Sequence, residues 1–396
     1  DQLPGVAITV PSIVLPVGIS FFTFQGLSYV IDVYRNERLK STRFRDVLLY
    51  IALFPQLVAG PIVRYEDVAD EIKSRRHTLE QLANGLRRFI IGLSKKLLIA
   101  DVCGSVVTLI YSAESSALDS RTAWLAAVCY LIQIYFDFSG YSDMAIGLGL
   151  CFGFHFKENF NYPYISASIQ EFWRRWHISL STWFREYLYI PLGGNRKGKA
   201  RKYLNLLLTF LVSGVWHGVG LTYLIWGALH GVYQIAGDAT DRLRGRVYAA
   251  LHVSRTGRLA CAWQCLCTFA LVNAAWVFFR AASVHDALYV LTAQFRNVSL
   301  TGLLADIRAI AASFNAKSLL SAAFLAFVLL ALAGGVLLDC ARRFKAPGGD
   351  LSARMLSLPL IFRWLLYYAL AAFIFAGFLM NNGYFATAAN FLYNNF

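Results

Sequence analysis

Long apolar runs recur along the whole chain, and they constrain its fold more than any other feature of the sequence. They occupy residues 8–34, 89–111, 124–136, 144–154, 203–215, 221–235, 260–279, 319–338 and 358–380. Of the 396 residues, 57% are hydrophobic and only 15% are charged, whereas about 25% of an average soluble domain is charged. One soluble core cannot bury so much apolar surface, so part of it must face lipid. We therefore predict an all-α integral membrane protein built as a multi-helix bundle.

Several of the runs are shorter than the roughly 20 residues that a helix needs to cross a bilayer. Irregular backbone is tolerated at membrane depth only where protein or a water-filled cavity covers it. We therefore expect re-entrant or broken helices around a cavity, with residues 46–62 and 144–154 as the re-entrant segments. Lys95 and Lys96 interrupt one run, so either they snorkel to the interface or that span begins at Leu97.

The basic residues are clustered, and the net charge is +14. Clusters lie within residues 35–45, 73–76, 196–202, 242–246 and 342–345. Membrane proteins concentrate Lys and Arg in cytoplasmic loops, so these clusters predict a multi-pass chain with the five segments in the cytoplasm. The composition excludes a disordered chain, a disulfide-rich secreted scaffold and a nucleic-acid-binding module.

No internal repeat divides the sequence, and we interpret residues 1–396 as a single membrane domain. The chain begins at Asp1, almost directly before an apolar run, so we expect either that the numbering begins inside a longer protein or that an N-terminal part was removed. The seven cysteines show no CxxC spacing, and no Walker A, GxSxG or HExxH pattern occurs. The sequence therefore predicts no metal and no permanently bound cofactor.

Residues 172–185 are too polar to cross a membrane. The apolar side chains of this segment recur at helical spacing: Trp173, Trp176, Leu180 and Phe184. Three arginines lie off that stripe: Arg174, Arg175 and Arg185. The pattern predicts one amphipathic helix in the membrane interface, with its Trp residues at headgroup level.

His217 follows an apolar run at membrane depth. At about 1.5 Å per helical residue it lies roughly 20 Å from Lys202, inside the hydrocarbon. Glycines at 214, 218 and 220 flank it. A lone His on an apolar face is usually a satisfied core residue, but an ionisable residue at this depth is a functional candidate by default. Depth and the glycine-rich break favour a functional role.

Other polar residues leave alternatives open. On one straight helix His230 would lie roughly 20 Å from His217. A turn at residues 218–220 would instead return it toward the cytoplasm. For His230 we prefer the interpretation that it forms a hydrogen bond between packed helices. Asp137 and Asp143 either line a polar cavity or belong to a helix cap at Ser142 or Asp143. Residues 60–62 form either the tip of a re-entrant loop or an ordinary turn.

Several motifs together make the sequence resemble the membrane-bound O-acyltransferase family. They are Trp176-His177 within residues 172–185, residues 187–195, Trp216-His217-Gly218, and residues 16–25, 54–62, 136–147 and 159–164. The sequence resembles most the bacterial branch of alginate-type polysaccharide O-acetylation and teichoic acid D-alanylation membrane subunits. The resemblance covers nearly the whole chain.

The resemblance implies helices around a central tunnel, in which a cytoplasmic donor meets an external acceptor. It also implies that His217 is the catalytic residue and that His177 is the second polar position of the site. Acyl transfer from a thioester to a hydroxyl needs a base and donors for the oxyanion. We expect His217 to be the base, and His177 or a neighbouring Trp or Ser to orient the thioester carbonyl. Arg174, Arg175 and Arg185 are expected to hold the phosphates of coenzyme A, unless they form a solvated or lipid-contacting face.

The predicted function is therefore that of a bacterial inner-membrane acetyltransferase subunit with acetyl-CoA as its donor substrate. Acetyl groups would pass across the cytoplasmic membrane to an exported polysaccharide such as alginate, with a separate extracytoplasmic acetyltransferase as the partner. One alternative is D-alanyl transfer to teichoic acid from a carrier protein. A transporter or flippase would also contain an intramembrane His and broken helices, and a non-catalytic scaffold is the third alternative.

Overall fold

Helices make up the regular structure of the described part of the chain, which confirms the all-α expectation. The computed structural model describes residues 18–41, 43–58, 60–112, 118–296, 359–365 and 368. Between residues 18 and 296 the α-helices are α1 (Ile19–Arg35), α2 (Phe44–Ala52), α3 (Phe54–Leu57), α4 (Tyr65–Lys73), α5 (Leu79–Ser94), α6 (Asp101–Ser112), α7 (Ser120–Cys151), α8 (Ile169–Arg175), α9 (Ile178–Phe184), α10 (Gly198–His217), α11 (Leu221–Ala239), α12 (Asp241–Ala250), α13 (Arg258–Arg280) and α14 (Val284–Ala293). The π-helical segments Lys95–Ala100 and Arg185–Tyr189 join α5 to α6 and extend α9.

Helix α7 runs through the centre of the bundle and packs antiparallel against α5. Two glycine pairs allow the two backbones to meet. A Cβ added at Gly92 would lie 2.5 Å from the carbonyl oxygen of Gly140, and one added at Gly85 would lie 2.5 Å from that of Gly147. Small residues at a helix crossing are the usual means of close packing in membrane bundles.

Two helices of the described residues, α7 and α13, are each long and apolar enough to cross a membrane. Other helices carry apolar surface as well. Along α10 a stripe of exposed side chains comprises Leu204, Leu208, Val212 and Val215. A continuous exposed apolar stripe is unfavourable in water and typical of a surface that contacts lipid or protein. The predicted runs at 319–338 and 358–380, apart from 359–365 and 368, lie outside the described residues, as does the first part of 8–34.

Helix α7 corrects three expectations. It is continuous over 32 residues, so the runs at 124–136 and 144–154 form one helix and the interpretation of 144–154 as a separate re-entrant segment is wrong. The predicted cap at Ser142 or Asp143 is wrong for the same reason. The helix is capped instead by Asp119, whose Oδ1 accepts a hydrogen bond from the Thr122 backbone N–H at 2.9 Å.

Neither alternative predicted for Lys96, snorkelling or a helix that begins after it at Leu97, is what the structure shows. The helical path from Leu79 continues through the π-helical segment, and Lys96 Nζ lies 2.7 Å from Asp101 Oδ1 and 2.6 Å from Asp137 Oδ1 inside the protein. Lys95 lies beside it but is paired near the surface with Asp143, at 2.6 Å. The ammonium group of Lys96 is therefore buried between two carboxylates instead of lying at the membrane interface.

Residues 172–185 form two short helices rather than the single amphipathic helix predicted. Helix α8 ends at Arg175, α9 begins at Ile178, and His177 between them has a left-handed backbone with φ 43°. The apolar stripe is buried, with Trp173 and Trp176 in one hydrophobic cluster and Leu180 and Phe184 in another. The expectation that the Trp residues lie at headgroup level is therefore wrong, since both are packed inside the protein, and the sequence pattern gave no signal for the break.

Candidate active site

His217 is positioned by a close-packed helical hairpin. Helix α10 ends at His217, the chain turns at residues 218–220, and α11 returns antiparallel to α10. A Cβ at Gly227 would lie 2.3 Å from the carbonyl oxygen of Phe210, and one at Gly214 would lie 2.5 Å from that of Tyr223. The two backbones are therefore in direct contact, as the glycines in this part of the sequence suggested, and the end of α10 is rigidly held.

Aromatic rings surround His217, whose residue surface is 5% exposed. The imidazole centroid lies 4.6 Å from the ring of Trp216, 5.0 Å from that of Trp226 and 5.3 Å from that of Phe279. In the described part of the chain, the Nε1–H groups of both tryptophans are buried without a hydrogen-bond partner. Buried indole donors normally find an acceptor, so these two are available to a substrate oxygen.

His177 belongs to the same part of the fold as His217, although α9 and the whole length of α10 separate the two along the chain. Its ring is 1% exposed and packs 4.6 Å from Phe138, edge to face. Phe21 and Trp216 link the two histidines through ring contacts: the centroid of Phe21 lies 6.4 Å from that of His177 and 5.7 Å from that of Trp216, which lies 4.6 Å from that of His217. The two imidazoles therefore border the same aromatic cluster.

His230 forms the helix-packing hydrogen bond that was the preferred interpretation. The Nε1–H of Trp173 on α8 donates to His230 Nδ1 at 3.2 Å. Phe172 stacks on the same imidazole with centroids 6.2 Å apart and an angle of 6°. His230 therefore joins α11 to α8.

A cavity of about 1370 Å³ lies between α8, α9 and helices α10 to α13. Its lining includes Trp173 and Phe210, which pack against His230, and Ser213 of α10. Ser213 lies one helical turn before His217 on α10. Neither His217 nor His177 is among the described residues that line the cavity, so this space ends about one turn short of the imidazole of His217.

Basic side chains are prominent in the same lining: Arg174, Arg185, Lys199, Lys202, Arg242, Arg244 and Arg255. Some are neutralised, since Lys202 pairs with Asp238 at 2.7 Å and Arg255 pairs with Asp241. Hydrogen bonds from Lys202 and Tyr203 lower the pKa of Asp238, so it is ionised at neutral pH. Arg174 has no ion-pair partner in the described chain.

Of the three arginines predicted to bind phosphate, the structure brings two to this cavity. Arg174 and Arg185 line it. Arg175 is not among the described lining residues and points its guanidinium to Glu171, with 2.9 Å between Nη2 and Oε1, and to the carbonyl oxygen of Asn161.

Sequence reasoning missed two residues that hold this site together. Trp226 separates His217 from His230, and fully buried Asn159 hydrogen-bonds to His177. Asn159 stands in one of the motifs that carried the family resemblance, but no local pattern indicated its partner. Trp226 lies in an apolar run, where nothing in the sequence distinguishes it from an ordinary core residue.

Several known proteins are similar to this chain. The chain is 46% identical over 301 residues to "Probable alginate O-acetylase AlgI" of Pseudomonas syringae, covering 74% of this chain and 56% of that protein. It is 40% identical over 306 residues to "Peptidoglycan O-acetyltransferase" of Helicobacter pylori, covering 70% of this chain and 56% of that protein. It is 31% identical over 227 residues to "Teichoic acid D-alanyltransferase" of Bacillus subtilis, covering 54% of this chain and 57% of that protein.

The chain thus spans a little over half the length of the curated relatives it matches. The model of the family described as MBOAT, membrane-bound O-acyltransferase, matches residues 34–284. This range contains α2 to α13 and both candidate histidines. Since the match covers well over half of the sequence, the chain belongs to the membrane-bound O-acyltransferase family.

Proposed function

We propose that the protein is a membrane O-acetyltransferase that transfers acetyl groups from cytoplasmic acetyl-CoA toward an exported polysaccharide. The observation that carries the proposal is the position of Ser213, which lines a large, basic cavity one turn below buried His217 on the same helix. A cavity with cationic walls suits the phosphates of coenzyme A. A donor bound there would extend its thioester inward, toward the end of the cavity at Ser213. The identity to alginate and peptidoglycan O-acetylating relatives supports acetyl as the transferred group.

The chemistry assigned to the site is acyl transfer to a hydroxyl. The hydroxyl oxygen attacks the thioester carbonyl carbon while His217 removes the hydroxyl proton. The C–S bond of the tetrahedral intermediate then breaks, and the thiolate leaves with the proton returned by His217. Because charge is costly to bury, an imidazole among Trp216, Trp226 and Phe279 rests in its neutral form and is ready to accept a proton.

The developing oxyanion needs hydrogen-bond donors that are already in place. The proposal assigns this role to the Nε1–H groups of Trp216 and Trp226, which are buried beside His217 and unpaired within the described residues. Arg174 and Arg185 bind the donor phosphates at the other end of the cavity. No metal takes part in the proposed reaction.

The test uses the full-length protein in lipid nanodiscs with acetyl-CoA and an alginate oligosaccharide, and measures free CoA and acetylated product. His217→Gln should lower turnover by about 10²–10⁴-fold, the range lost with a general base. His285→Gln serves as the matched control because that side chain is 86% exposed and remote from the site. Full turnover by His217→Gln would contradict the assignment of the base.

The same assay separates the alternatives. D-alanyl transfer predicts activity only with a D-alanyl-loaded carrier protein. This donor is the one to test beside acetyl-CoA, because the chain is 31% identical to a teichoic acid D-alanyltransferase. A transporter predicts movement of the polysaccharide or its precursor across vesicles without thioester cleavage.

A further inference from the structure

Asn159 is fully buried and makes five polar contacts near the break between α8 and α9. Its backbone carbonyl accepts a hydrogen bond from Ile178 N at 2.9 Å. Its side-chain Oδ1 accepts from the Ser179 backbone N–H at 3.1 Å and from Ser179 Oγ at 2.9 Å, and lies 3.2 Å from His177 Nδ1. Its Nδ2 donates to Ser142 Oγ on α7 at 3.2 Å. Asn159 therefore connects α7 with His177 at the helix break and with the first residues of α9.

The contact with the Ser179 backbone fixes the orientation of the amide. A backbone N–H can only donate a hydrogen bond, so the atom of Asn159 that faces it must be the oxygen. The opposite orientation would place the NH₂ group of Asn159 against another donor and leave both unsatisfied in a buried site. The oxygen and the nitrogen of this amide are thus identified by their hydrogen-bond partners.

That orientation determines which nitrogen of His177 carries the proton. An amide oxygen cannot donate, so His177 Nδ1 must donate to it, as Nδ1–H. The hydroxyl of Ser179 offers no alternative, because its single hydrogen is directed to Asn159 Oδ1 at 2.9 Å, while His177 Nδ1 lies farther away, at 3.5 Å. In the neutral ring, Nε2 then carries the lone pair.

We infer that Asn159 is a positioning residue that holds His177 with its proton on Nδ1, so that His177 enters the acyl transfer through an unprotonated Nε2. Resting on the function proposed above, this excludes the expected role of His177 as a donor that orients the thioester carbonyl. The neutral ring accepts a hydrogen bond through Nε2 and does not donate to the thioester carbonyl, while His217 remains the base that removes the hydroxyl proton. The carbonyl is left to the indole donors of Trp216 and Trp226.

A first experiment measures the tautomer without using activity. The full-length protein is labelled with ¹⁵N-histidine in nanodiscs, and the His177 signals are assigned by their loss in His177→Gln. The expected spectrum shows a protonated Nδ1 and an unprotonated Nε2, and Asn159→Leu, which keeps the volume but removes the acceptor, should abolish this preference. A proton on Nε2 in the unsubstituted protein would overturn the inference, whether or not the protein transfers acetyl groups.

A second experiment asks whether Asn159 acts through His177. Asn159→Leu should lower kcat about 10–100-fold, the usual cost of losing a partner that orients a functional His, with the KM for acetyl-CoA unchanged. Asn159→Asp keeps an acceptor for the same three donors and should restore most of kcat. In a His177→Gln background, Asn159→Leu should cause no further loss.

These kinetic outcomes separate the two proposals. Losses that multiply in the double variant, or equal kcat values for Asn159→Leu and Asn159→Asp, would show a structural role and overturn the inference. Absence of CoA release from the unsubstituted protein would overturn the proposed function, while the tautomer measurement would still decide the role of Asn159.

Discussion

His217 and His230 pack edge to face against one indole ring, that of Trp226, with centroid distances of 5.0 Å and 5.2 Å. The turn at residues 218–220 produces this arrangement, because α11 runs back along α10. The two histidines differ in their partners. His230 accepts a hydrogen bond from Trp173, whereas His217 adjoins two unpaired indole donors in the described chain. We therefore assign His230 to the support of the site and His217 to its chemistry.

The hydrogen bond between Trp173 and His230 should appear as coupled stability. His230→Phe leaves the indole N–H of Trp173 buried without an acceptor and should lower the free energy of unfolding by about 1–3 kcal/mol. In Trp173→Phe/His230→Phe neither group remains unpaired, so the loss should be smaller than the sum of the single losses. Denaturation in mixed micelles measures these values, and additive losses would contradict a direct bond.

Lys96 should be far more important for stability than its neighbour Lys95. Lys96→Met leaves Asp101 and Asp137 as uncompensated buried carboxylates and should cost about 3–5 kcal/mol. Lys95→Met removes a pair whose lysine side chain is 27% exposed, and should cost about 0–1 kcal/mol. Thermal unfolding of both variants checks the contrast, and similar melting temperatures would refute it.

The hairpin and its histidine were predictable because their cause is local. Glycines beside an apolar run indicate a break and close packing, and an ionisable residue at that depth stands out against its surroundings. The structure places His217 at the end of α10 and returns the chain after it. The continuity of α7 was not predictable in the same way, because Asp137 looks like an interruption until its partner Lys96 is known.

The break at His177 could not be predicted, since a left-handed backbone at a non-glycine residue has no strong sequence signal. Asn159 stabilises it from another part of the chain, through contacts to three successive residues. Helical periodicity therefore favoured one continuous helix where tertiary hydrogen bonds produce two. The connection of His177 to His217 through Phe21 is likewise a property of the folded chain alone.

The arginines of the cavity should affect donor binding unequally. Arg174→Gln and Arg185→Gln should each raise the KM for acetyl-CoA about 3–10-fold, since a charge-assisted hydrogen bond contributes roughly 1.5 kcal/mol before solvent weakens it. Arg175→Gln is the matched control, because Arg175 is not among the described residues that line the cavity, whereas Arg185 lines it although it pairs with Glu186 at 2.9 Å. Steady-state kinetics at low and high salt provide the test, and an equal KM increase in Arg175→Gln would refute this division.

Two glycines of α11 should respond in opposite directions to the same substitution. Gly227→Ala forces a methyl group to within 2.3 Å of the Phe210 carbonyl oxygen, so α10 and α11 must separate, at a cost of about 1–3 kcal/mol. Gly237→Ala meets no atom within 4 Å and should stabilise the helix by about 0.5–1 kcal/mol. Melting temperatures give the sign of each change, and stabilisation by Gly227→Ala would contradict the tight crossing.

Asp119 should make stability depend on pH in the acid range. Burial would raise the pKa of this carboxyl, but hydrogen bonds from Thr122 and the nearby Arg121 lower it to about 2. Because this pKa lies below the ordinary value of about 3.9, the stabilisation is complete above about pH 5 and is lost as pH falls through 4 toward 2. Asp119→Asn keeps the cap but not the charge, so the unsubstituted protein should be more stable by up to about 1 kcal/mol at neutral pH. Melting curves from pH 8 to pH 2.5 should show this difference constant above pH 5 and shrinking below pH 4; a difference that does not change with pH would exclude the charge as its cause.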